Sequence, residues 1–402
     1  MGRSSFEVAA IFRRYGDDYR QTHRFGPEQH KAMGDIQACR TAQLGGHVDR
    51  CSNGCGYQAI SYNSCRNRHC PKCQSLNQAK WLEQRTLRLL PTRYFHLVVT
   101  LPHELIPLTL SNRKLLFNLF FDAAAKALLE FALGYQRLRA QIGFTAVLHT
   151  WDQELNFHPH LHIVATGGGL SQDGKRWICA ANNFLLPVKA LSMIIRGKFV
   201  EALERAFREG KLKGNVPCLA NPTLFLRLLR KLRRIKWVVY SKELLDSSKK
   251  AYDYLSRYTH RVAISNHRLT NVGPQTVTFR ARDNRNPGRH RLITIPAPEF
   301  IRRFLLHILP ARFVKIRHFG LMASCNAKTK LERARSLITQ PHSGDDLAHA
   351  DAPKSSKAWQ EVMLSLTGID LSICPQCRRG ILVRFKLTEV YPISAATILD
   401  SS

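Results

Sequence analysis

Residues 158–164 read His158-Pro159-His160-Leu161-His162-Ile163-Val164, an alternation that only an extended strand turns into a coherent surface. Successive strand side chains point to opposite faces, so His160 and His162 project together, with Leu161 and Ile163 on the other side. Adjacent imidazoles on one face suit a metal ion. Further along, Tyr254-Leu255-Ser256-Arg257-Tyr258 sets two phenols four residues apart, on one face if the segment is helical. Such spacing also marks an aromatic core stripe. Arg257, His260 and Arg261, however, crowd these tyrosines with cationic groups that would stabilise charge on a phosphate. A metal pair with paired tyrosines suggests phosphodiester chemistry, in which a metal polarises a phosphate and a tyrosine oxygen attacks it.

Charge points to the same class of partner. Lys and Arg number 61 against 29 Asp and Glu, a formal charge of +32, which implies a polyanion. No apolar run reaches the length of a membrane-spanning helix and no signal-peptide core opens the chain, so a cytoplasmic protein with no membrane partner is expected. In that reducing compartment the 11 cysteines do not form a disulfide framework.

Apolar periodicity predicts amphipathic helices within residues 6–45 and a basic helix over 76–90 that ends at Pro91. A strand at 94–101 and a helix over 112–135 follow. Residues 143–153 and 158–166 read as a hairpin carrying the histidines, stopped by Gly167-Gly168-Gly169. Helices are expected over 188–212 and 222–235, the latter strongly basic on one side. Further strands are expected at 237–240, 262–264 and 276–280, with the tyrosine helix at 247–258 and a last helix over 300–309. From about residue 326 the chain turns polar, with linker composition over 339–357. The expected fold is α+β, divided into a helical, zinc-binding and DNA-binding region (1–90), a catalytic region (91–325), and a polar linker and C-terminal tail (326–402).

Six cysteines fall within residues 39–73. Cys51 and Cys55, followed by Cys70 and Cys73, form two closely spaced thiolate pairs, the set expected to hold a structural Zn2+ in a tetrahedron. Asn63, Arg66, Asn67, Arg68 and Lys72 make their surroundings polar rather than core-like. Cys39, Cys65, His47 and His69 remain for an alternate ligand set or a second ion. Near the other end, Cys374-Pro375-Gln376-Cys377 reads as a knuckle without an obvious partner.

Two histidines are a sparse set for a catalytic ion, and the hairpin suggests a third. If residues 154–157 close it, Gln153 faces His158, Trp151 faces His160 and His149 faces His162, so His149 shares the histidine face. A one-residue slip would send His149 to the opposite face and leave Gln153 or His158 in its place.

The motifs together resemble the two-tyrosine HUH rolling-circle transposases of the insertion sequence ninety-one type. Carriers of the resemblance are Cys39-Arg40-Thr41-Ala42, Leu44-Gly45-Gly46-His47-Val48 and the run from Tyr62 through Cys65-Arg66-Asn67-Arg68-His69-Cys70-Pro71-Lys72-Cys73-Gln74. His158-Pro159-His160-Leu161-His162, the stretch from Tyr254 to Asn266, Arg302-Arg303-Phe304-Leu305-Leu306-His307 and Arg317-His318-Phe319-Gly320-Leu321 carry it further. After Tyr240-Ser241-Lys242, where such proteins continue with a Pro-Phe-Gly type turn, this chain has Glu243-Leu244-Leu245-Asp246. The resemblance implies an antiparallel sheet displaying His160 and His162 as ligands for Mg2+ or Mn2+, with the helix of the nucleophiles Tyr254 and Tyr258 beside it. It also implies single-stranded DNA, at element ends and target, as substrate. Arg66, Arg68, Lys242, Arg257 and Arg261 are the candidate DNA contacts. The expected activity is nicking and rejoining through 5′-phosphotyrosine intermediates. The alternatives are a rolling-circle replication initiator and an inactive zinc-containing DNA-binding protein.

Overall fold

The computed structural model describes residues 6–73, 88–181, 184–244, 262–283, 288–339 and 372–387, with a few isolated positions besides. Most of the basic helix expected over 76–90 lies outside these. Two helices open the chain, α1 (Val8–Thr22) and α2 (Pro27–Ala38). Val8, Ile11 and Phe12 line the buried face of α1, and Gly16 admits the Met33 side chain where a Cβ would meet it at 2.6 Å. α2 starts on Pro27, with the Gly26 N–H donating to Gln29 Oε1 at 2.8 Å. A hairpin of β1 (Gly46–Cys51) and β2 (Gln58–Tyr62) follows, then β3 (Tyr94–Thr100).

Next come α3 (Ile106–Ser111), α4 (Arg113–Gly134), β4 (Ala140–Trp151), β5 (Phe157–Ser171) and β6 (Trp177–Cys179). α5 (Val188–Arg208), α6 (Pro222–Arg234) and β7 (Val239–Leu244) lead to a small meander, β8 (Leu269–Val272), β9 (Thr276–Arg282) and β10 (His290–Pro296). α7 (Ala297–Leu306), β11 (Ile316–Gly320), α8 (Lys330–Thr339), β12 (Leu382–Lys386) and β13 (Thr397–Ile398) complete the described elements.

The main sheet has the order β11-β4-β5-β3-β7, all antiparallel, with β6 added to β5. One face is apolar. Leu97 and Val99 of β3, Leu161 and Ile163 of β5, and Ala146 and Leu148 of β4 pack on Phe117 and Phe120 of α4, Phe199 of α5 and Phe225 of α6. Each fully buried phenylalanine contributes about 1.5–3 kcal/mol relative to exposure. Because alternate residues serve this layer, the histidines between them are turned to the other face. The β10-β9-β8 sheet forms a second core with α1 and α7, in which the Phe12 and Phe304 rings meet edge to face at 5.3 Å. Antiparallel sheets flanked by helices are the α+β class expected.

Four local expectations fail. β5 runs on through Gly167-Gly168-Gly169 to Ser171, because those glycines admit neighbouring chains rather than stopping the strand. A Cβ on Gly168 would lie 2.6 Å from the Ile178 carbonyl oxygen, and one on Gly169 2.5 Å from that of Gln141. Residues 262–264 are buried but irregular, leading into a short turn at 266–268. The polar stretch after 326 contains α8, whose Leu331 and Ala334 are buried against the main sheet. Finally, residues 372–387 are no tail, since β12 pairs antiparallel with β1, placing Arg384 opposite Asp49. No helix among the described residues is long and apolar enough to cross a membrane.

Candidate metal centres and nucleic-acid site

β4 and β5 build a three-histidine cluster. His149 lies directly opposite His160, and ligand atoms of His149, His160 and His162 all fall within 4.8 Å of one another. The register differs from the one expected by two residues, since Val147, not His149, faces His162. A two-residue change preserves parity, so His149 still shares the histidine face. Its place there depends on a bulge. At the turn Trp151 pairs with Phe157, and carrying that register inward would oppose His149 to Pro159 and turn its ring to the helical side. Instead β5 has two residues, His158 and Pro159, where β4 has only Thr150 between pairs. Pro159 suits the irregular position because it has no N–H to give to the ladder.

A hydrogen bond fixes the His160 tautomer. His160 Nδ1–H donates to the His158 carbonyl at 2.7 Å, turning Nε2 toward His162 Nε2 at 3.1 Å. His162 Nδ1 meets His96 Nε2 at 3.0 Å, with the two rings nearly parallel. A cation at the Nε2 atoms would leave the His162 proton on Nδ1, donating to His96, the outer-shell arrangement that orients metal-bound histidines. His96 is buried on β3, and burial pushes its pKa down to about 4, so it stays neutral and able to accept. Sequence reasoning missed His96. The signal was a lone histidine in an otherwise apolar strand, Tyr94–Thr100.

His307, at the end of α7, supports the same hairpin from beneath. It donates from Nε2 to the Leu155 carbonyl at 3.1 Å and accepts at Nδ1 from Thr150 Oγ1 at 3.2 Å. Burial lowers its pKa to about 4.

Of the candidate DNA contacts, Lys242 pairs with His96 across β3 and β7, which puts it exposed on the histidine face. Arg66 is exposed in a left-handed backbone conformation, φ 54°. Arg68 departs from expectation. Its guanidinium turns inward and donates to the carbonyls of Pro310 and Phe313, and burial lowers its pKa. Tyr254, Tyr258, Arg257 and Arg261 lie outside the described residues.

Eight of the cysteines form two quartets, neither being the expected set. Cys70 and Cys73 stand with Cys39 and Cys65, and Cys51 and Cys55 stand with Cys374 and Cys377. The reason is the β1–β2 hairpin. Cys51 and Cys55 sit at its turn, whereas Cys39 and Cys65 flank its open end, where Gly46 pairs with Tyr62. A five- or six-residue strand separates the two ends by about 17–20 Å. In the first quartet Cys39 Sγ lies 3.3 Å and Cys65 Sγ 3.7 Å from Cys73 Sγ. Hydrogen bonds from Cys39, Cys65 and Cys70 hold the Cys73 thiol far below its usual range, while contacts with neighbouring cysteines and burial push Cys65 and Cys70 up. Four thiols so close cannot all ionise without a cation, and a divalent ion resolves the conflict. His69 is not one of this set, because its Nε2 accepts the Leu309 N–H at 3.3 Å.

Comparison with known proteins agrees with this layout. A family model described as "Transposase zinc-binding domain" matches residues 11–101, and one described as "Putative transposase" matches residues 143–330. The chain is 43% identical to "Putative transposase y4qJ" of Sinorhizobium fredii over 392 residues, 97% of each chain. This chain belongs to the IS91-type transposase family. It is also 29% identical over 304 residues to "Transposase for insertion sequence element IS801" of Pseudomonas savastanoi pv. phaseolicola, covering 71% of this chain and 68% of that one. As a transposase it is a DNA-processing enzyme, and both quartets have the donor chemistry of zinc sites. The first model takes in the first quartet and half of the second, while the other model takes in all three clustered histidines.

Proposed function

We propose that this transposase nicks and rejoins single-stranded DNA through 5′-phosphotyrosine intermediates, in rolling-circle-type transposition. The observation that carries the reading is the convergence of His149, His160 and His162, backed by His96, on the sheet face that also bears Lys242. Three neutral imidazoles would hold a divalent cation, and a donor set of nitrogens fits Mn2+ better than Mg2+, which prefers oxygen and water. Once bound, such an ion supplies Lewis-acid polarisation of a phosphate oxygen. Lys242 would bind the DNA backbone beside it.

The nucleophiles in this reading are Tyr254 and Tyr258. A phenolic oxygen attacks phosphorus as it gives up its proton, the new O–P bond forms as the P–O3′ bond breaks, and the released 3′ oxygen takes up one proton in exchange to become a free hydroxyl. The second tyrosine serves the paired strand-transfer step, in which a 3′-hydroxyl reverses the reaction on another strand. The first cysteine quartet would hold a structural zinc that keeps the 65–73 loop folded.

The test is incubation of the protein with single-stranded oligonucleotides from the element ends and Mn2+ or Mg2+. The expected product is a protein–DNA adduct that survives denaturation and is lost in the Tyr254→Phe, Tyr258→Phe double variant. An adduct that persists in that variant would move the nucleophile elsewhere, and DNA binding with no adduct would favour a binding protein without catalysis. A replication initiator would share the chemistry, and a flanking origin in place of defined element ends would mark it.

A further inference from the structure

We infer that Cys51, Cys55, Cys374 and Cys377 form a second zinc site that clasps the C-terminal segment to the N-terminal hairpin. Each pair belongs to a tight knuckle. In the first, Gly54 adopts φ 64° between the cysteines and the Asn53 N–H points at Cys51 Sγ at 3.4 Å. In the second, Arg378 adopts φ 55° and the Gly380 N–H points at Cys377 Sγ, also at 3.4 Å. Backbone N–H groups aimed at sulfur favour the thiolate form that zinc requires.

The spacing selects a metal over the other ways four cysteines meet. Cys51 and Cys377 sulfurs are 3.5 Å apart and those of Cys55 and Cys374 3.6 Å. A disulfide requires about 2.0 Å. A tetrahedron with Zn–S bonds of about 2.3 Å has edges of about 3.8 Å. Thiols used as small hydrophobes need an apolar setting. Here the neighbours are Ser52, Asn53 and Gln376, whose side-chain Nε2 donates to the Cys55 carbonyl, and the quartet stands outside all three apolar cores of the described residues. Gly380 completes the fit, since a Cβ there would stand 2.2 Å from Cys51 Sγ.

Little else holds the segment. Val383, Phe385 and Ile381 are exposed, so β12 buries almost no apolar side chain on β1. Apart from the cysteines its attachment is polar: five paired positions, hydrogen bonds exchanged between Ser52 and Ile381, the Leu387 N–H on the Gly46 carbonyl, the two-pronged contact of Arg384 with Asp49 at 2.8 and 3.0 Å, and Arg50 over the Phe385 ring at 5.5 Å. An exposed ion pair contributes about 0–1 kcal/mol. Segments this small depend on a metal for their folding free energy. The site closes a loop of more than three hundred residues, Cys51 and Cys377 being 326 apart, so the metal fixes where the chain returns after the polar stretch.

The test uses the full-length protein. Zinc analysis should give two ions per chain, and the Cys374→Ser, Cys377→Ser variant should hold one. Amide exchange across residues 382–386 should rise at least tenfold in that variant, while residues 8–38 keep their protection. In the unmodified protein, Cys374 and Cys377 should react slowly with iodoacetamide until a chelator is added. One zinc per chain in the unmodified protein, an unchanged count in the variant, immediate alkylation of both thiols, or recovery of Cys51–Cys377 and Cys55–Cys374 disulfides from native protein would overturn the site.

Discussion

The two cysteine quartets have the same ligands and opposite settings. Cys39, Cys70 and Cys73 are buried in a core that includes Phe12, Phe300 and Phe304, so that quartet is welded to the α1, α2 and α7 layer. Cys65 joins them from the loop that Arg68 and Asn67 pin to the 310–313 segment and to Asp35. The second quartet has strand pairing behind it and no core. A knuckle is therefore a portable unit, and topology decides which other knuckle it meets and whether losing the metal costs a domain or a strand.

The largest expected effect tests that contrast directly. Cys70→Ser should lower overall stability by several kcal/mol, because metal-binding free energy of about 10 kcal/mol or more is coupled to folding and the vacated site lies against the phenylalanine core. The Cys374→Ser, Cys377→Ser variant should melt within a few degrees of the parent. Calorimetry of both decides it, and equal losses would break the comparison.

Much of the fold is legible in the sequence. The 3.6-residue stripes of α1, α4, α5 and α6 and the β-rich runs of β3, β4, β5 and β9 follow from apolar periodicity. What was not legible depends on partners distant in the chain. The glycines at 167–169 look like a stop, yet they serve close approach by Arg93, Trp177 and Gln141. The pairing of Cys51 and Cys55 was hidden because its other half lies beyond residue 370. His149 was reached by a hairpin argument with the wrong register, and its face is right only because a bulge at His158 and Pro159 adds the compensating residue. His96 carried no motif at all, and only packing reveals its bond to His162.

Acid should separate the two settings further. His307, 2% exposed, packs in the core that backs the first quartet, with its folded pKa about 4 against 6.5 for an ordinary histidine. Between those values the unfolded chain binds a proton that the folded one refuses. Its contribution is thus intact above about pH 6.5 and is lost as pH falls toward 4, a change on the order of 3 kcal/mol. His307→Gln should flatten this part of the pH–stability profile. Amide protection of β12, remote from that core, should not follow the same curve, and a parallel loss would mean that the clasp shares the core after all.

The histidine cluster lies between the extremes, half core and half site. His96→Ala should weaken Mn2+ binding by about 10–100-fold, the usual cost of losing a partner behind a metal-bound histidine. His96→Asn, which keeps an acceptor near His162 Nδ1, should recover part of it. Calorimetric titration with Mn2+ reads both. If alanine and asparagine behave alike, His96 serves packing alone.

The smallest effect distinguishes two arginines of the 65–73 loop, one turned outward and one inward. Arg66 is exposed, so Arg66→Ala should leave thermal stability unchanged and lower single-stranded DNA affinity, reducing the salt-dependence slope by about 0.7–1 for one lost phosphate contact. Arg68 donates to the Pro310 and Phe313 carbonyls, which bind the zinc loop to the segment leading into β11. Removing a charged donor from two partly buried acceptors costs about 1.5–3 kcal/mol, so Arg68→Ala should lower the melting temperature and leave the salt slope of DNA binding as it was. Salt titrations by fluorescence anisotropy, paired with melting curves, separate the two. If Arg68→Ala changes the slope while Arg66→Ala does not, the outward and inward roles are reversed and the zinc loop meets DNA through its buried edge.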